Sequence, residues 1–322
     1  MRNAQSCSNN RIRKYSIFVS TFILLASACV SDSSSGGGDN SESETPPGIT
    51  QILFEEKFDD NSLASRDWFG GTSATISTSN TISGSSGSLE FAWPSGAILP
   101  TNGGGKRKLF NPTESVYFRF YMKVSSGWQG SGVSYHPHLF LLLTTEDDQW
   151  IGPAETHLTF YLEPFGPDGK ILVAFQDSLN IDDAQIGIDL TPGQPNHTEF
   201  RGTGGCNGTT DGVVGDCYNK PPWRNGKKYK TTQGYIDNTF KKVEVLVKLN
   251  TLSNGVGQQD GIIRVWIEDV KVLGQTNVIL RTNANPSMKF NQILIGPYIG
   301  VGSPVAQTLW IDELLVATDR IE

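Results

Sequence analysis

Residues 116–124 alternate without a break: Val116, Phe118, Phe120, Met122 and Val124 are apolar, while Tyr117, Arg119, Tyr121 and Lys123 stand between them. A period of two sends successive side chains to opposite faces of an extended chain, so this segment reads as a strand with one buried face. Residues 157–163 alternate in the same way, and the apolar runs 139–143 and 171–175 suit strands covered on both faces. Segments 243–249, 262–267, 292–295 and 308–317 extend the set, and turn residues such as Gly166-Pro167-Asp168-Gly169, Asn254-Gly255 and Asp260-Gly261 punctuate it. No stretch shows a sustained helical period. With only 18% charged residues, 35 Gly and 16 Pro, the chain is expected to be all-β, a sandwich of two antiparallel sheets or jelly roll.

The first residues carry a different signal. Arg11, Arg13 and Lys14 precede an apolar run from Ile17, which ends in Ala26-Ser27-Ala28-Cys29. The run is short for a membrane span and closes on small residues, as a cleaved export signal does. It resembles the bacterial lipobox, which implies cleavage after residue 28, lipidation of Cys29, and a cell-envelope location at the outer membrane or cell surface. Removing residues 1–28 deletes four cations and no acid, taking the formal charge from −7 to −11. That balance speaks against nucleic acid as a partner. Residues 29–48 are Ser-, Gly- and acid-rich and read as a tether, and the folded domain spans 49–322. A monomer is expected, with membrane contact only through the lipid.

Residues 177–238 interrupt the rhythm with Gly, Pro, Asn and Thr and read as an irregular insertion. Cys206 and Cys217 lie within it. In an oxidising compartment they are expected to form a disulfide, since no Cys/His spacing supports a metal site. Trp223, Arg224, Lys227 and Tyr229 follow in a cationic, aromatic stretch. It is either a solvated loop or a surface that stacks on sugars and meets their acidic groups.

Three stretches point to a family. Val247-Lys248-Leu249-Asn250-Thr251 followed by Asp260-Gly261 and Val265-Trp266-Ile267 resembles a strand pair of concanavalin A-like jelly rolls. Residues 309–318, with Trp310-Ile311-Asp312, are similar to their last strand, and residues 54–60 to their first. The chain thus resembles the polysaccharide-lyase-like branch of the lectin/glucanase superfamily over residues 50–320. The resemblance implies a jelly roll that recognises or processes an extracellular, anionic polysaccharide. It also implies a structural Ca²⁺ between the first and last strands, with Glu56, Asp59 and Asp312 as ligands. After Lys123 the chain lacks the Lys/Gly-rich segment that cleaving branches carry. Three functions therefore stand open: carbohydrate recognition, lyase action by β-elimination, and a structural lipoprotein without glycan.

Lyase chemistry on a uronic acid needs a group to neutralise the carboxylate, a base for the C5 proton, and an acid for the leaving oxygen. The candidates are Arg119, His136, His138, His157 and Tyr161, with Tyr117, Tyr121 and Lys123 as ligand-binding neighbours. If their strands adjoin, an Arg/His/Tyr groove results. The alternative for the Tyr117 face is a solvated outer surface.

Overall fold

The computed structural model describes residues 50–133, 135–152, 156–176, 228–254, 256–278, 280–281 and 285–321. Beyond one short 3-10 turn at Leu63–Arg66, its regular structure is all strand. In chain order the strands are β1 (Ile52–Glu56), β2 (Phe69–Gly70), β3 (Thr75–Ser77), β4 (Ser88–Trp93), β5 (Lys106–Thr113) and β6 (Ser115–Val124). There follow β7 (His138–Thr144), β8 (Thr159–Phe165), β9 (Lys170–Gln176), β10 (Lys228–Lys230) and β11 (Lys241–Lys248). The last are β12 (Leu252–Ser253), β13 (Val256–Gly257), β14 (Gly261–Ile267), β15 (Val270–Val278), β16 (Phe290–Tyr298) and β17 (Gln307–Ala317).

Two antiparallel sheets form a sandwich. The first runs β15-β14-β11-β6-β17-β4-β3, with β1 also paired to β17; the second runs β10-β9-β8-β7-β16-β5-β2. The alternation of residues 116–124 is the reason β6 can stand in the first sheet with Phe118 and Phe120 facing inward. There they meet Phe140 of β7 at 5.3 and 4.4 Å between ring centroids, which joins the two sheets. Each such ring contributes about 1.5–3 kcal/mol by leaving water. Because β7 and β9 sit inside the second sheet, both of their faces are buried, as their unbroken apolar runs require.

Segments that do not alternate also became strands. β5 reads Lys-Arg-Lys-Leu-Phe-Asn-Pro-Thr and is held in the second sheet by β16. Its Lys106 is fully buried on the core side, where Nζ donates to Asn102 O (2.9 Å) and Gly104 O (3.1 Å). Burial pushes this amine down to about 8. β10 falls inside the segment expected to be irregular. It pairs with β9 through Lys228–Ala174, Tyr229–Val173 and Lys230–Leu172.

Candidate functional site

The site is built on the outer face of the second sheet. Register aligns Arg107, Leu294, Leu141, Tyr161 and Ala174 in one row across β5, β16, β7, β8 and β9. Leu141, Tyr161, Ala174 and Leu294 form, with Leu143, an apolar cluster distinct from the core. Further along its middle strands, β16, β7 and β8, the polar groups gather. His138 lies opposite Tyr298, the two rings stacked at 5.9 Å, and His138 also contacts Tyr161 at 4.7 Å and His136 at 4.3 Å.

Glu163, two residues along β8 from Tyr161, organises the cluster. Its buried carboxylate accepts the His136 backbone N–H (2.9 Å) and bonds His138 Nδ1. Burial alone would raise this carboxyl. The charge and hydrogen bond of His138, with the His136 N–H, outweigh it and hold Glu163 below its ordinary value. Facing an ionised carboxylate, Nδ1 of His138 is the donor, so the neutral ring carries its lone pair on Nε2. That Nε2 is buried and has no hydrogen-bond partner among the described residues. His136 is pinned from two sides, since its Nδ1 accepts the Gly300 N–H at 3.0 Å. Its φ of 60° is unusual for a residue with a side chain, a strain that surrounding contacts must sustain. Gly300 leaves little room for a side chain: a Cβ there would lie 3.0 Å from His136 Cε1 and 3.1 Å from Tyr298 Cε1, so those rings would have to give way.

His138, Tyr298 and Arg107 line one groove of about 360 Å³, floored by Leu141 and Leu294 and edged by Gly103, Gly105 and Gly296. The Arg107 guanidinium donates to Gln292 Oε1 (2.8 Å), Gln149 O (3.2 Å) and Ile151 O (2.9 Å). All three acceptors are neutral, and among the described residues no carboxylate pairs with it. Burial lowers its affinity for the proton, yet a guanidinium remains charged at any physiological pH. The groove therefore holds a positive charge with no counter-charge among the described residues.

Of the residues chosen from sequence, the structure brings together His136, His138 and Tyr161. It does not bring Arg119 to them: β6 belongs to the first sheet, and Tyr117, Arg119, Tyr121 and Lys123 lie on that sheet's outer face. Here the expectation of a single groove is corrected. The alternation fixed which residues share a face but not which sheet the strand joins. Tyr117 is buried and donates to Glu244 Oε1 (2.8 Å), and Lys123 Nζ meets Asn80 Oδ1 (2.9 Å) over the Trp310 ring. His157 is also apart. It precedes β8 at the end remote from Glu163, with its N–H and Nδ1 on Asp147 Oδ1. Tyr229 packs against the main core, and burial raises its hydroxyl pKa. Trp223, Arg224 and Lys227, the pair Cys206 and Cys217, and Cys29 lie outside the described residues.

The carboxylates expected to hold calcium have other work. Glu56 accepts from Phe58 N–H (3.0 Å), Arg66 Nε (2.9 Å) and Trp68 Nε1 (2.9 Å), so a cation there would face a guanidinium. Asp312 accepts from Ile82 N–H and Ser85 Oγ, each at 2.9 Å, and Asp59 bonds Ser86 Oγ. These three do not make a set of free hard donors, and among the described residues no cluster of three or more His, Cys, Asp or Glu is placed to hold a metal ion.

Arg107, Glu163, Gln292 and Tyr298 escaped the sequence reading. A signal was present for Glu163 alone, which continues the alternating face of Tyr161 as a charged residue in an otherwise apolar strand.

The fold and its groove define the class: an all-β, concanavalin A-like jelly-roll sandwich. It is similar to the structure of an alginate lyase from Chlorella virus, with TM-score 0.53 and 11% identity over 84% of this chain and 100% of that one. It is also similar to an alginate lyase from Aplysia kurodai, with TM-score 0.52 and 13% identity over 84% of this chain and 100% of that one. At these identities the likeness is one of fold. No protein-family model matches the sequence, and no curated protein matches it.

Proposed function

We propose that the protein takes an acidic polysaccharide across the outer face of the second sheet and cleaves it by β-elimination. The observation that carries this reading is the shared groove of Arg107 and His138: among the described residues the buried cation has no counter-charge and the buried Nε2 no partner. An anionic sugar supplies what both lack. Arg107 and Gln292 lie where a uronate carboxylate would be neutralised, which makes the C5 proton more acidic. His138 Nε2 accepts that proton, the C4–O bond breaks as the C4–C5 double bond forms, and a tyrosine hydroxyl protonates the departing oxygen. Tyr298 fits the last role, being partly exposed beside His138 with its hydroxyl making no hydrogen bond to described residues. Polyuronates are the first substrates to try, in keeping with the chemistry named for the two structures of similar fold. The lipobox-like segment ending at Cys29 supports placing the domain outside the cytoplasm on a lipid anchor.

One observation favours recognition without cleavage: three protein oxygens already engage the Arg107 guanidinium, which limits how closely it can follow a changing carboxylate. The two readings separate in one experiment. The protein is incubated with polymannuronate, polyguluronate, polyglucuronate and pectate, and the near-ultraviolet absorbance of an unsaturated product is followed beside retention on the same polymers. Absorbance that disappears in His138→Ala supports elimination. Retention without absorbance leaves recognition, and the absence of both on every polymer sinks the proposal.

A further inference from the structure

We infer that Trp150 is a second, outlying sugar-binding point, a stacking platform for a ring further along the same acidic chain; this rests on the reading of the groove above. Trp150 is 58% exposed, the most exposed of the protein's described tryptophans, and its indole N–H makes no hydrogen bond to described residues. A lone exposed apolar residue needs no explanation in itself. What distinguishes Trp150 is how it is held. The carbonyls immediately before and after it, Gln149 O and Ile151 O, both accept from the buried guanidinium of Arg107. Its own backbone N–H donates to Asp148 Oδ1 at 2.8 Å, and Ile151 packs on the outer-face cluster of Leu141, Leu143 and Leu294. Phe69 supports one edge of the indole at 5.0 Å, interplanar angle 81°. The backbone that carries the indole is thus held on both sides, two of the bonds coming from the groove cation, and Phe69 packs against the ring itself.

The chemistry of the ligand follows. An indole presents a flat apolar face and one donor, and a pyranose presents an axial C–H face ringed by hydroxyl acceptors. Because Arg107 binds the carbonyls on either side of Trp150, the platform is carried by the peptide that holds the groove cation, and a polymer met at Arg107 would reach the indole with its next units. A rigid aromatic also loses little entropy on binding. Trp150 is a positioning residue in this scheme; it touches no reacting bond.

The test compares the full-length wild type with Trp150→Ala and Trp150→Phe by affinity electrophoresis in the polyuronate that retains the wild type best, repeated with oligomers of increasing length. The expected result is an affinity loss of about tenfold in Trp150→Ala, as for a truncated aromatic anchor, with most of it restored in Trp150→Phe. The ratio of wild-type to alanine-variant affinity should grow with oligomer length. Equal retention of wild type and Trp150→Ala overturns the platform while leaving the groove reading intact. Loss in both variants without length dependence also overturns it, because it marks a disturbed Arg107 anchor. If the wild type is retained by no polyuronate, the groove reading fails and Trp150 goes with it.

Discussion

Replacing Glu163 by Gln tests the centre of the site with almost no change of shape. In the wild type both carboxylate oxygens face donors, the His136 N–H at 2.9 Å and His138 Nδ1. An amide can accept from only one of them. The backbone N–H of His136 cannot move its proton, so Oε1 of the new glutamine must serve it, leaving the NH₂ to face His138. Two donors cannot share that contact, and His138 has to shift its proton to Nε2, the buried ring atom without a hydrogen-bond partner among the described residues. Two charge-assisted bonds become neutral ones, a loss of about 1–3 kcal/mol for a fully buried pair. Activity should fall about 10²–10⁴-fold, because the base now carries a proton where it should accept one. Urea denaturation measures the first quantity, product absorbance the second, and ¹⁵N NMR of the imidazoles reports the tautomer irrespective of any substrate. The acid limb provides a further check. Glu163 is held below its ordinary 4.5, so its stabilisation is fully present above that value and is lost as pH falls through the lower folded one. Glu163→Gln should lack that part of the acid loss. A variant that keeps the proton on Nδ1 of His138 and retains wild-type stability would refute the dyad.

Gly300→Ala should push His136 and Tyr298 apart, since the added Cβ would sit 3.0–3.1 Å from both rings. We expect about 1–3 kcal/mol of destabilisation and weakened polyuronate retention, read by thermal melting and affinity electrophoresis. Lys106 gives the same pH sign as Glu163, but in the alkaline range. Its amine is depressed from 10.5 to about 8, so burying the charge costs stability below pH 8, and the cost is relieved as pH rises toward 10.5. Chemical denaturation between pH 7 and 10 should therefore show a rising contribution of up to about 3 kcal/mol that is missing in Lys106→Met. Chelation should leave the melting temperature unchanged, because Glu56 and Asp312 already accept protein hydrogen bonds; a fall on adding EDTA that Ca²⁺ reverses would restore the first-to-last-strand cation.

Strand positions were legible at many segments with one apolar face, though β4, with Leu89, Phe91 and Trp93 on one side, was not read. Residues 116–124, 262–267 and 308–317 all became strands because the alternation itself is the condition for burying one side. β5 and β15 were not legible. The first is stabilised by neighbours on both sides despite three cations in a row, and the second lies at a sheet edge where polar residues stay wet. The site was half legible for a related reason. His136, His138 and Tyr161 stand out as residue types, but periodicity says nothing about which strands adjoin, and so Arg119 was placed with them although β6 belongs to the other sheet. The true cation, Arg107, comes from a strand that carried no pattern, and Tyr298 from the end of β16, where the ladder slips register against β7.

The pairing of β10 with β9 has a consequence for how this molecule can change over time. β9 ends at Gln176 and β10 begins at Lys228, which pairs with Ala174. Ala174 and Lys228 are therefore held about 5 Å apart across the ladder, two residues from the end of β9. Whatever is spliced between such posts meets the same doorway, and the entropy of closing it grows only with the logarithm of its length. Natural variation can lengthen, shorten or replace the intervening peptide while the sandwich behind it stays as it is, so this junction is where a lineage would be free to acquire new tastes without refolding.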